Sequence, residues 1–275
     1  MNDHPAEMFE NIELVNEAYT AQAPLFDNIQ NNNEILQWMR KQVHSTVEKY
    51  LRPGDCMLDI NAGTGIDAEH FALKGYKVVA VDVADGMVNE IKLKIVRSSL
   101  KQLLFAQKCS YTEVGQLSPE KFDYILSNFG GLNCISDLRT VALQLMKILN
   151  PDAFLTLVIM PPVCPLEILH ALTGSFKLAF RRLYKAGITA RVEGHYFKAY
   201  YHTPEDVLRA FGDQFSLVKL SGLASVVPPP YMEKFPRQFP SIFKLLKAFD
   251  ERFSSYPPFN RWADQFILTL QYKPH

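Results

Sequence analysis

The sequence predicts an α/β fold: an open, mostly parallel sheet with helices on both faces, an N-terminal helical segment and helical cap insertions. Three observations point to it. Between residues 56 and 160, short apolar runs alternate with amphipathic runs of helical length. Met57-Leu58-Asp59-Ile60-Asn61-Ala62-Gly63-Thr64-Gly65 reads as an apolar strand that carries a carboxylate and feeds a tight glycine turn. Lys77-Val78-Val79-Ala80-Val81-Asp82 is a second apolar strand, ending on another carboxylate. A strand–loop–helix–strand unit of this kind can hold a nucleoside cofactor at the carboxyl edge of a parallel sheet, with helix N–H groups free for an anion.

Taken in order, residues 6–50 read as helical, with Ile12, Val15 and Tyr19 near one face and Ile35, Trp38, Met39 and Val43 on another. Pro24 is expected to interrupt the first helix, and Asn31-Asn32-Asn33 to separate the two. Strand one covers 56–60, the following helix 68–74 with Gly75 at its C′ position, and strand two 77–81. Asp85 is expected to cap a helix through Met87, Ile91 and Ile95. Strand three lies near 103–106, Ser118-Pro119-Glu120 makes a turn, and strand four covers 122–127. A helix starting at Ser136 and Asp137 is expected to stop at Asn150-Pro151, before strand five at 154–160. The alternation then lapses into an apolar helix over 166–184 with a basic end. An aromatic strand over 191–202 follows. Thr203-Pro204-Glu205-Asp206 is a strong helix start, and 215–220 is another strand. A helix over 241–253 is expected to bury Ile242, Leu245, Leu246, Phe249 and Phe253, and 265–272 is the last strand.

The 275 residues are 48% hydrophobic and 21% charged, ordinary values for a globular protein with a real core. Lys plus Arg and Asp plus Glu both total 29. That balance argues against a dedicated nucleic-acid binder. The polar start lacks a signal-peptide pattern, and no apolar run of membrane-spanning length occurs. Cys56, Cys109, Cys134 and Cys164 form no metal-spaced pair, so no metal site is expected; free thiols in a reducing cytoplasm are.

The core resembles the class I S-adenosylmethionine (SAM)-dependent methyltransferases, over residues 56–160 and the last two strands with the helix before them. The residues that carry the resemblance are Leu58 to Gly65, Asp82, Met87, the fourth-strand run Phe122-Asp123-Tyr124-Ile125-Leu126-Ser127-Asn128, the junction Tyr201-His202-Thr203-Pro204, and the closing Asp264-Gln265-Phe266-Ile267-Leu268. There are two departures: Asn61 stands where a glycine is usual, and Gln107-Lys108-Cys109-Ser110 lacks the acid often found after strand three.

The resemblance implies an antiparallel last strand and SAM, with S-adenosylhomocysteine (SAH) as product, across the ends of strands one, two and four. Asp59 would face the methionyl ammonium. Asn61, Ala62, Gly63 and Gly65 would form the close loop, and Asp82 would take the ribose hydroxyls. Val83, Met87 and Ser110 would flank adenine, and Asn128 would sit near the sulfonium. The implied organisation is a single methyltransferase domain over 1–275. Within it, 1–50 is a helical lid, 51–160 the cofactor-binding core, 161–190 and 222–262 cap insertions, and 191–221 with 263–275 complete the sheet. The expected partner is a small or medium organic acceptor, an apolar one included. Candidates for an acid or base are His195, His202 and Tyr200; strand alternation keeps the two histidines on opposite faces, with Tyr200 beside His202. His170, on the insertion helix, is a weaker candidate. Two alternatives stay open. Gly63-Thr64-Gly65-Ile66-Asp67-Ala68 also fits the dinucleotide pattern of an NAD(P)-dependent oxidoreductase, and a non-catalytic SAM-binding protein would need no base.

Overall fold

The structure, a computed structural model, describes residues 5–117, 121–169, 171 and 174–274. The turn expected at Ser118-Pro119-Glu120 and the candidate His170 lie outside the described residues. Two helices, α1 (Pro5–Asn32) and α2 (Glu34–Val47), precede β1 (Cys56–Ile60). The alternating core follows: α3 (Ile66–Leu73), β2 (Lys77–Asp82), α4 (Asp85–Arg97), β3 (Leu104–Lys108), β4 (Phe122–Ser127), α5 (Leu138–Leu145) and β5 (Leu149–Ile159). Then come α6 (Pro165–Ile168), α7 (Phe176–Ala179), β6 (Ile188–Val192), β7 (His195–Ala199), α8 (Pro204–Phe211), β8 (Phe215–Leu223), α9 (Phe235–Gln238), α10 (Pro240–Phe253) and β9 (Gln265–Tyr272).

Seven strands form one sheet in the order β3-β2-β1-β4-β5-β9-β8. The first five run parallel, and β9 lies antiparallel between β5 and β8. Central strands are largely apolar on both sides because both faces are covered. On β1 and β4, Leu58, Ile60 and Ile125 pack toward α5 and α8, while their neighbours Met57, Tyr124 and Leu126 pack with residues of α2 and α3. The strand order reverses between β1 and β4, which leaves a crevice at their carboxyl ends.

Several expectations are corrected. Pro24 does not break α1, which runs on through it. A proline inside a helix costs about 3 kcal/mol, and tertiary anchoring offsets this: Ala18 and Ala23 are buried, and Asn11 ties α1 to Cys134 and Lys198. Asp85 does not cap α4; it is the first helical residue, and its carboxylate pairs with Lys108 instead. Asn150-Pro151 lies inside β5, because α5 already ends at Leu145. The helix expected over 166–184 is broken into short pieces. Residues 191–202 are not one strand: β6 and β7 form a separate two-stranded hairpin that packs on α1. Helix α10 buries Phe243 and Asp250, whereas Ile242, Leu245 and Phe253 face solvent.

Candidate functional site

The loop after β1 turns through left-handed backbone at Asn61, Gly63 and Gly65 (φ +52°, +57° and +78°). Asn61 can take this conformation because asparagine tolerates it better than other residues with a side chain. Gly65 needs its missing Cβ as well, since one would lie 2.9 Å from Ile91. At the end of β2 the Asp82 carboxylate accepts the Gly63 N–H at 2.8 Å and the Ala84 N–H at 2.9 Å. It therefore fixes the glycine loop while keeping lone pairs for a ligand. Burial, opposed by those N–H groups, pushes its carboxyl up to about 6.

Behind the loop lies a buried ionic cluster. Asp67, in the first turn of α3, accepts Arg40 at 2.5 Å, His44 at 2.6 Å and Asn128 Nδ2 at 3.0 Å. Burial alone would raise the Asp67 carboxyl, yet Arg40 and His44 hold it well below the usual carboxylate range. Nearby Asp59 behaves oppositely. Burial first, then the charge of Asp67, push it well above its ordinary value, with Arg40 opposing. Neither Asp59 oxygen has a hydrogen-bond partner. Buried polar atoms normally do, so this carboxyl group fits a site completed by a cationic or N–H-bearing ligand. The buried Asn61 Oδ1 and Gln265 Oε1 are also without partners, and both residues line the adjoining cavity.

That cavity, about 310 Å3, lies between the sheet edge and α1. Its floor includes Asn61, Gly63, Asp82, Val83, Asn128 and Gly131, and its apolar walls include Tyr19, Phe26, Leu36, Tyr111, Phe129 and Cys134. Of the sequence-derived cofactor residues, Asn61, Gly63, Asp82, Val83 and Asn128 meet there. Asp59, Ala62, Gly65, Met87 and Ser110 stand outside the lining. The Ala62 N–H is used on Val81 O, Met87 packs with Ala23 and Ala84, and Ser110 bonds Thr112. Asn128 spends its amide on Asp67 and on the Phe129 N–H. The three candidate acid/base residues also lie outside the lining. His202 is buried and donates from Nε2 to Ile135 O at 2.9 Å; burial lowers its pKa. His195 is half-exposed on the hairpin, 3.6 Å from Glu17. Tyr200 pairs through its backbone with Asn133, and its ring crosses Gly187.

Sequence reasoning missed Arg40, His44, Asp67 and the aromatic wall. Asp67 offered the only local signal, as an acid in a helix's first turn; its partners are 27 and 23 residues away.

An open α/β sheet with a glycine loop, an acid on β1 and an acid ending β2 defines a nucleoside-cofactor protein. Residues 57–152 match the family described as "Methyltransferase domain". Among curated proteins, the chain is 28% identical over 138 residues to a demethylmenaquinone methyltransferase of Symbiobacterium thermophilum. The aligned part is 46% of this chain and 54% of that protein, so the match spans about half the relative's length. Solved structures share the whole fold at low identity. The cyclase SpnF has TM-score 0.62 and 13% identity, covering 95% of this chain and 96% of its own. The 1,6-didemethyltoxoflavin-N1-methyltransferase of Burkholderia thailandensis has TM-score 0.61 and 17% identity, covering 100% and 94%. The geranyl diphosphate C-methyltransferase of Streptomyces coelicolor A3(2) has TM-score 0.54 and 11% identity, covering 85% and 79%. The family match runs from β1 into β5, and the glycine loop and strand order agree with a methyltransferase domain over those residues.

Proposed function

We propose that the protein transfers a methyl group from SAM to a small organic acceptor held in the aromatic cavity over the β1–β4 crevice. One observation carries the reading: the buried acceptors without partners, Asp59, Asn61 Oδ1 and Gln265 Oε1, sit beside a loop pinned by Asp82. That set suits the ammonium and ribose of SAM. The acid on β1 and the antiparallel β9 speak against an NAD(P)-dependent oxidoreductase, whose usual sheet is parallel throughout.

When bound, SAM supplies an activated methyl on a positive sulfur. The chain's own part is to bind, orient and exclude water, and orientation can contribute about 7–11 kcal/mol. Asp82 takes the ribose hydroxyls, and Asn61 with Gln265 faces the ammonium near Asp59. Tyr19, Phe26 and Phe129 close the cavity against water. Apart from Asp82, which this reading commits to the ribose, the titratable side chains lining the cavity are thiols and phenols that hold their protons. Burial pushes Cys109 up to about 11, Cys134 up to about 12, and Tyr19 and Tyr111 higher still. These groups keep their protons near neutral pH. The acceptor therefore brings its own nucleophile, as an ionised hydroxyl, an unprotonated nitrogen or an activated carbon. Neighbours named for demethylmenaquinone, geranyl diphosphate and 1,6-didemethyltoxoflavin support a small organic acceptor with apolar surface.

The four cysteines are free, which suits the cytoplasm, and among the described residues no helix is long and apolar enough to cross a membrane. The whole chain is read as one domain, with α1 and α2 as the lid. Incubation with methyl-labelled SAM and a small-molecule extract tests the proposal. Label moving into an organic-soluble product supports it; SAM binding without transfer to any fraction favours a non-catalytic role.

A further inference from the structure

The two cap insertions carry a charge and polarity pattern that the cofactor site does not use. The chain as a whole is neutral, but residues 161–190 hold four Lys or Arg against one Asp or Glu, and residues 222–262 hold six against three. Of the four acids, Glu167 and Asp250 are buried and satisfied from within, and Glu233 and Glu251 are exposed. Buried Glu167 accepts Arg181 and Arg182 at 2.7 and 2.6 Å, and Arg182 reaches Asp264 at 2.7 Å. Buried Asp250 accepts the backbone N–H groups of Ser225, Val226 and Val227. The outer bases Lys177, Lys185, Lys234 and Lys244 are exposed and make no ion pair among the described residues.

Between these bases, large apolar side chains face solvent. The first insertion exposes Phe176, Phe180, Leu183 and Tyr184. The second exposes Tyr231, Met232, Phe239, Ile242, Leu245 and Phe253, with Leu245 at 69%. Arg182 of the first insertion bonds Asp264, just beyond the end of the second, which ties the two insertions to one part of the fold. On α10, Ile242, Leu245, Phe249 and Phe253 form a stripe at helical spacing, beside the buried edge marked by Phe243. The surface also borders the cavity. Asn33, at the α1–α2 joint, donates to Pro230 O at 2.8 Å, and Gln30 and Leu36 on either side of that joint line the cavity.

Apolar and aromatic side chains interleaved with lysines are the chemistry of an interfacial surface. Exposed bases are attracted to an anionic leaflet. A second copy of the chain is disfavoured as the cover, because two such faces would set excess positive charge against positive charge. We propose that the two cap insertions form one docking surface for an anionic phospholipid bilayer, beside the mouth of the acceptor cavity. This stands independently of which cofactor the site holds.

Flotation of the full chain with phosphatidylcholine vesicles, with and without about one third phosphatidylglycerol, tests it. At least tenfold more protein is expected to float with the anionic vesicles, with a several-fold loss in roughly 0.5 M NaCl. Ile242→Ser with Leu245→Ser, and separately Phe176→Ser with Tyr184→Ser, should each cut flotation at least fivefold. Melting temperature and SAH affinity should stay unchanged, since these side chains are exposed and outside the site. Three results would overturn the proposal: no flotation with either vesicle, equal flotation with both, or a dimer in sedimentation velocity that the same variants convert to monomer.

Discussion

Asp82→Asn isolates the acceptor proposed to take the cofactor's ribose. The wild-type carboxylate holds the Gly63 and Ala84 N–H groups at 2.8 and 2.9 Å, with the Val83 N–H also bonded to it, and keeps acceptor capacity for a ligand. Two ribose hydroxyls donating there would make charge-assisted bonds, each worth about 1.5–3 kcal/mol. The amide removes the charge and turns one acceptor into a donor. That donor must face either a backbone N–H of the loop or a ribose hydroxyl. Losing the equivalent of one such bond is expected to raise the Kd for SAH about 10- to 150-fold. Isothermal titration at pH 7.5 measures it, with the circular dichroism spectrum checking the fold. A Kd within twofold of wild type would refute the assignment of Asp82 to the ribose.

The same carboxyl, raised to about 6 by burial, must be ionised to accept both hydroxyls. SAH affinity is thus expected to fall about tenfold per pH unit below 6 and to be flat above it, with the Asp82→Asn profile flat throughout. For the free protein the sign is reversed. A carboxyl whose folded value is raised contributes stability that is present below about 4 and lost as pH rises through about 6, by about 3 kcal/mol, measurable as urea midpoints across that window. Arg40→Ala strands buried Asp67 beside Asp59, costing about 3–5 kcal/mol and lowering Tm by about 6–12 °C or more; a fall under 2 °C would count against the cluster. Gly131→Ala would place a Cβ 2.5 Å from Asn61 Cγ and push that residue off the cavity floor, so at least a tenfold loss of SAH affinity is expected by titration. His195→Ala should leave the methyl-transfer rate within twofold, because the ring lies half-exposed on the hairpin.

The sheet was legible because its strands carry their burial in the sequence. Met57, Leu58 and Ile60, then Val78, Ala80 and Val81, put apolar side chains on both faces, and the glycine turn between them needs left-handed backbone. The capping box at Thr203-Pro204-Glu205-Asp206 was equally local, and Thr203 and Asp206 cap each other as expected. What escaped was non-local. Nothing near Asp67 announces Arg40 and His44, and Pro24 looks like a breaker until α1 is seen anchored on the core. The hairpin of β6 and β7 had a signal that went unused: Glu193-Gly194 takes left-handed backbone at both residues (φ +46° and +89°), the turn of a two-residue hairpin. Helix α10 misled because its periodicity marks an apolar stripe without saying whether protein or another phase covers it. The candidate histidines lie outside the cavity lining for a related reason: alternation assigned them to one long strand, whereas His195 sits on the β6–β7 hairpin and His202 in the loop after it.

The most direct measurement titrates one preparation of the pure protein with SAH and, separately, with NADH. A one-to-one isotherm with SAH and no heat with NADH are expected, because the site pairs an acid before the glycine loop with a carboxylate proposed to take the ribose. Binding of NADH without SAH would contradict the cofactor assignment at its root.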